Sequence, residues 1–103
     1  MLEKDVERKS GDIAKQRGFL HLKFTSPGRA AVPDRLVLAQ IPEWLRPVVA
    51  KYVRFVEYKA AGKKPTGPQM REHERLRTLG FAVDVVDDVN DARDIFEGMG
   101  DAT

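Results

Sequence analysis

Apolar and polar positions recur with two different periods along this chain of 103 residues, and each change of period marks an expected element. From Leu2 to Arg17, Leu2, Val6 and Ile13 return at helical spacing among charged residues, which predicts a first helix. Gly11 inside it costs about 1 kcal/mol relative to alanine, and Gly18 is a natural stop. Phe19 to Thr25 shifts to period two, with Leu20, Leu22 and Phe24 on one side and His21 and Lys23 on the other, as in a strand. Ser26-Pro27-Gly28 predicts a turn. Asp34 then opens a second apolar strand, Leu36-Val37-Leu38-Ala39. Pro42 can begin one short helical turn within Ile41 to Pro47. Tyr52 to Ala60 reads as a third strand, in which Val53, Phe55, Glu57 and Lys59 share one face. Thr66 to Leu79 predicts a second long helix with Met70, His73, Leu76 and Leu79 as its inner stripe, stopped by Gly80. Phe81 to Val86 is the last strand, and Asn90 caps a final helix whose Ala92, Ile95, Phe96 and Met99 make an apolar face. The order α-β-β-β-α-β-α predicts an α/β fold, a mixed sheet flanked by helices, and the length predicts one domain over residues 1–103.

Charge sharpens this picture. The net charge is only +2, yet residues 1–83 hold 17 Lys/Arg against 9 Asp/Glu, while residues 84–103 hold Arg93 against 7 acidic side chains. A basic body suits a polyanion, because each phosphate neutralised by Lys or Arg releases condensed counterions; the plainer role of such charges is solubility, and for the helix around Arg71 to Arg77 the two readings stand level. Lys63 and Lys64, in a Gly/Pro-rich loop, are better placed for phosphate. The chain has no cysteine, which excludes disulfides and thiolate zinc sites. No apolar run reaches the length of a membrane span and the N-terminus lacks a signal-peptide stretch, so a cytoplasmic protein without a membrane partner is expected.

The candidate chemistry lies in Pro33-Asp34, followed 23 residues later by Glu57-Tyr58-Lys59. Two carboxylates and an ammonium in this order are the pattern of a metal-dependent phosphodiesterase. Glu57 ends an apolar strand and Asp34 begins another, and ionised carboxylates at the ends of buried strands want a partner; a hard cation taking oxygen ligands is the most economical one. Other polar residues have structural explanations. Thr66-x-x-Gln69 is also a capping box. Glu7 belongs to a helix surface where Glu3, Lys4, Glu7 and Arg8 can pair. His21 and His73 are too few for zinc without cysteine, and His73 on an apolar stripe reads as a half-buried packing residue or subunit contact. Asp84, Asp87, Asp88 and Asp91 lack the spacing of a calcium loop and suit a turn and helix start.

Several stretches taken together, Lys23-Phe24-Thr25-Ser26-Pro27-Gly28, Val32-Pro33-Asp34-Arg35, Phe55-Val56-Glu57-Tyr58-Lys59, Gly62-Lys63-Lys64-Pro65 and Gln69, resemble the virus-type replication-repair nuclease (VRR-NUC) family of the PD-(D/E)xK superfamily. The resemblance runs roughly from Val6 to Val86. It implies a restriction-endonuclease-like fold and a site in which Asp34, Glu57, Lys59 and Gln69 carry over, with Glu7, which fits better than Glu3, as the acid of the first helix. Ala31 stands where relatives often have glycine. The segment Gln40 to Lys51, with Trp44 and two prolines, is longer than the usual connection.

The activity expected from this resemblance is hydrolysis of a DNA phosphodiester with Mg²⁺ or Mn²⁺. Asp34, Glu57, the backbone carbonyl of Tyr58 and, through water, Glu7 would hold the metal. Lys59 would act at the nucleophile or as a charge stabiliser, and Lys23, Ser26, Arg35, Lys63 and Lys64 are candidate DNA contacts. The resemblance further implies branched DNA such as four-way junctions and a homodimer, to which the apolar residues Trp44, Leu45, Val48, Val49, Ile95, Phe96 and Met99 could contribute. A flap or nicking nuclease, or a non-catalytic DNA-binding module of the same fold, are the alternatives.

Overall fold

A computed structural model of the chain describes residues 1–100. The order is α1 (Glu3–Gln16), β1 (Leu20–Lys23), β2 (Arg35–Leu38), a 3₁₀ turn (Glu43–Leu45), α2 (Arg46–Ala50), β3 (Arg54–Tyr58), α3 (Gly67–Leu79), β4 (Ala82–Val86) and α4 (Val89–Glu97). This is the expected α/β succession, with the short helical turn after Pro42 extended into α2. Pairing is both antiparallel and parallel, carried by two two-stranded ladders, β1–β2 and β3–β4, rather than one continuous ladder. The chain forms two compact units, the first ending at Gln40 and the second beginning at Ile41.

In the first unit β1 and β2 pair antiparallel, with Leu20 opposite Leu38 and Lys23 opposite Arg35. The N–H of Phe24 donates to the carbonyl of Asp34 at 2.9 Å and adds a rung beyond Arg35. Opposed residues share a face, so His21, Lys23, Arg35 and Val37 lie on one side and Leu20, Leu22, Leu36 and Leu38 on the other. Helix α1 meets the first of these sides. A Cβ added at Gly11 would lie 3.3 Å from His21 Nδ1, so the residue that weakens the helix also lets it approach the strand. Ala14 is buried, whereas Leu2, Val6 and Ile13 are exposed. The inner face of α1 is therefore the stripe Glu7, Gly11 and Ala14, chosen by small size and charge pairing, and not the apolar stripe its periodicity suggested. Ala31 has φ 62°, the left-handed region that glycine occupies without penalty.

In the second unit β3 and β4 are parallel, with Phe55 opposite Val83 and Glu57 opposite Val85. Parallel neighbours need a long crossover, and α3 supplies it. Both ends of α3 are capped: Thr66 and Gln69 form a reciprocal capping box, and Gly80 ends the helix at φ 105°. The N–H of Phe81 donates to Leu76 and that of Gly80 to Arg77, closing a Schellman motif. Phe55 meets Phe81 edge-to-face at 5.8 Å. Behind the other face of the pair, Arg54 grips Asp84 with two bonds, 2.7 and 3.1 Å, and reaches the carbonyl of Ala50 at 3.2 Å, fixing the end of α2. Helix α4 is capped by Asp88, which accepts from the N–H of Asn90 at 2.7 Å, so Asp88 and not Asn90 is its cap. Ala92 is its buried residue, while Phe96 is about half exposed and Met99 lies beyond the helix end.

Candidate active site

Glu57 is the penultimate residue of β3 and projects from the face that carries Phe55, towards α3. A cavity of about 240 Å³ opens there, lined by Phe55, Val56, Glu57, Gln69, Glu72, His73, Leu76 and Val83. Gln69, His73 and Leu76 reach it from one face of α3, spaced by four and three residues. His73 is 6% exposed, and its Nε2 lies 3.1 Å from Glu57 Oε1. A carboxylate only accepts, so the ring donates. Met70, the expected neighbour of His73 on the inner stripe, is instead 59% exposed. The helix is rotated so that polar Gln69 and His73, and not Met70, share the cavity with Glu57, because a half-buried carboxylate needs a donor more than it needs a thioether.

Gln69 closes the capping box at the start of α3. Its Oε1 accepts from the N–H of Thr66 at 2.9 Å while its own N–H donates to Thr66 Oγ1 at 3.3 Å. The amide nitrogen takes no part in this box. Lys59 follows the strand; its N–H donates to the carbonyl of Val86 at 2.9 Å, which extends the β3–β4 ladder past Tyr58 and orders the backbone at the lysine. Tyr58 itself is exposed.

Lys63 and Lys64 are exposed on the loop after Lys59. They line a second cavity of about 470 Å³ with Pro65, Met70, His73, Glu74, Arg77, Val85 and Asp87. Asp87 accepts from the N–H of Gly62 at 2.9 Å and so fixes the loop that carries both lysines. Asp87 and Asp88 thus serve the turn and the helix start, as expected, whereas Asp84, expected there too, lies within β4 and is bound by Arg54.

In the first unit Asp34 is exposed where β2 begins. Arg35 Nε donates to Glu7 Oε2 at 2.9 Å. That hydrogen bond, then the charge of Arg35, holds the Glu7 carboxyl below the usual glutamate range; His21 and Lys23 pull the same way. Arg35 is in turn held protonated by Glu7. Glu7 and Arg35, expected as a metal-site acid and a DNA contact, are thus each other's partners. Lys23 is exposed opposite Arg35, and Ser26 is half-buried in the turn, its carbonyl accepting from the N–H of Arg29 at 3.0 Å.

Carboxylate oxygens such as those of Glu57 are the donor type that a hard cation takes. Among the described residues no three His, Asp or Glu side chains converge on one point. Mg²⁺ does not require that, since it is ordinarily held by one or two carboxylates, with water and phosphate oxygens completing its shell. Asp34 lies in the first unit and Glu57 in the second. The contact that reading the sequence missed is that of His73 with Glu57. Its signal was present as the i, i+4 spacing from Gln69, but without the orientation of α3 that spacing could not be told from packing.

Among known proteins, the chain is similar to one named "Putative nuclease p44" from Acyrthosiphon pisum secondary endosymbiont phage 1, with 44% identity over 85 residues, or 82% of each chain. No family model matches the chain, and no solved structure matches it.

Proposed function

The chain belongs to the family of that phage protein, and from this premise we propose that it is a Mg²⁺- or Mn²⁺-dependent DNA endonuclease of the VRR-NUC type, its residues 1–103 acting as one domain. The observation that carries the reading is the position of Glu57, a carboxylate at the end of a parallel strand, opening into a cavity and followed two residues later by Lys59. The ordered motifs around it resemble those of that nuclease type, and a relative bearing the name nuclease supports the coarser reading of a nuclease.

Asp34 and Glu57 are the proposed metal-holding carboxylates, together with the backbone carbonyl of Tyr58, the residue after Glu57 in β3. When bound, the metal would polarise the phosphate, lower the pKa of the attacking water and stabilise the leaving oxygen. Lys59 supplies positive charge where the phosphorane-like transition state gathers negative charge. Gln69 offers its amide N–H groups to a phosphate or water oxygen. Lys63 and Lys64, with Lys23, Ser26 and Arg35, hold the DNA backbone. Glu7 acts through water, because Arg35 already occupies one of its oxygens.

The preferred substrate in this proposal is branched DNA, such as a four-way junction, cut by a homodimer. Cleavage of a panel of duplex, flap, splayed and four-way DNA, each with Mg²⁺, Mn²⁺ or EDTA, tests it. Metal-dependent incision strongest on the four-way junction is expected. Flap cutting with intact junctions would replace the substrate, and binding without incision in either metal would replace the enzyme by a DNA-binding module.

A further inference from the structure

Resting on the metal-dependent reading above, we propose that His73 is a positioning residue, a buried donor that fixes the Glu57 carboxylate in the orientation in which it takes a cation. The Glu57 side chain is 27% exposed and that of His73 is 8% exposed, so their 3.1 Å bond is made largely out of water. A carboxylate in that setting without a donor would turn towards solvent. The bond leaves Oε2 as the oxygen that His73 does not engage.

The ring is held by a rigid element. Helix α3 is closed by a capping box at one end and a Schellman motif at the other, and Gln69, His73 and Leu76 line one cavity with Glu57. On the strand side, Phe55 shares the face of Glu57 and is pinned edge-to-face on Phe81. Neither the helix nor the strand can turn without breaking these contacts. A group that orients a metal-binding carboxylate in this way typically changes metal affinity by 10–100-fold when lost.

His73→Asn and His73→Gln separate positioning from packing. Glutamine can place an N–H where Nε2 stands, whereas asparagine reaches only as far as Nδ1. Mn²⁺ binding to the intact chain is measured by the loss of the free-ion electron paramagnetic resonance signal, beside thermal melting and the Mn²⁺ dependence of cleavage. His73→Asn should weaken Mn²⁺ binding by about tenfold or more, while His73→Gln stays within about threefold of the wild type. If the Asn variant does not melt cooperatively, His73→Met, which fills the space without a donor, takes its place. Wild-type affinity in both variants overturns the positioning role, and so does an equal loss in both, which would trace to packing. Glu57→Gln is the control: if it binds Mn²⁺ like the wild type, or if the wild type binds none, the metal reading itself fails, and the inference with it.

Discussion

Glu57 and Lys59 stand two residues apart, and the fold handles their charges differently. The glutamate is tied to His73, while the lysine is fixed through its backbone N–H and leaves its ammonium to act elsewhere. Lys59→Ala should lower the cleavage rate on the order of a hundredfold, as loss of a positioned charge-stabilising group does. Lys63→Ala and Lys64→Ala should instead weaken binding and flatten its salt dependence. A Lys59→Ala chain whose rate recovers fully at high protein concentration would make the lysine a phosphate anchor. Glu7 presents the reverse case, a carboxylate whose state is set by a neighbour. Its pKa lies below the ordinary value chiefly because Arg35 donates to it. The pair therefore favours the folded chain above the ordinary glutamate pKa, and this contribution is lost as pH falls through the lowered one. In Arg35→Gln the Glu7 carboxyl should titrate closer to the ordinary value when followed by carbon-detected NMR. An unchanged titration would remove Arg35 as the cause.

Helix ends were the most legible elements, because capping chemistry is local. Thr66-x-x-Gln69, Gly18 and Gly80 each mark the boundary their residue types announce. Gly80 is favoured by its positive φ, and a Cβ there would lie 2.5 Å from Arg46 Nε, so that the flexible arginine would have to shift. Arg46 reaches across to donate to the carbonyl of Ile41 at 3.0 Å, while the N–H of Ile41 donates to Leu79 at 2.7 Å. Gly80→Ala should accordingly cost at least 1–2 kcal/mol, roughly the left-handed penalty alone, and lower the urea midpoint; an unmoved midpoint would mean that Arg46 swings away and the φ relaxes. Facial assignments were less legible. Apolar periodicity named Met70 and the Val6–Ile13 stripe as inward, but inwardness depended on what lay opposite. Glu57 drew in His73 and Gln69, and the side of β1–β2 bearing His21 and Arg35 drew in Gly11 and Glu7. Such demands come from residues distant in sequence, which a periodic pattern does not contain.

Across the whole molecule, a basic body and an acidic final stretch reflect two uses of charge: Lys63, Lys64 and Lys23 are exposed, while Asp84, Asp87 and Asp88 are bound to a guanidinium or to backbone N–H groups. No helix among the described residues is long and apolar enough to cross a membrane. Trp44 is 77% exposed, and Val48, Val89 and Phe96 are also open to solvent. If a second copy covers part of this surface, light scattering at micromolar concentration should give twice the chain mass, and a monomer at all concentrations would contradict the proposed dimer. Asp34, Glu57 and Lys59 are marked in the sequence by their order along the chain; the histidine behind Glu57 is not, because only the packing of α3 on β3 brings it there. In the proposed function Asp34 and Glu57 hold the metal, and single-turnover cleavage by Asp34→Asn and Glu57→Gln chains in Mg²⁺, with folding and DNA affinity measured in parallel, tests this. Each substitution should abolish incision while melting and binding stay near those of the wild type. Near wild-type turnover in either variant would contradict the account at that residue.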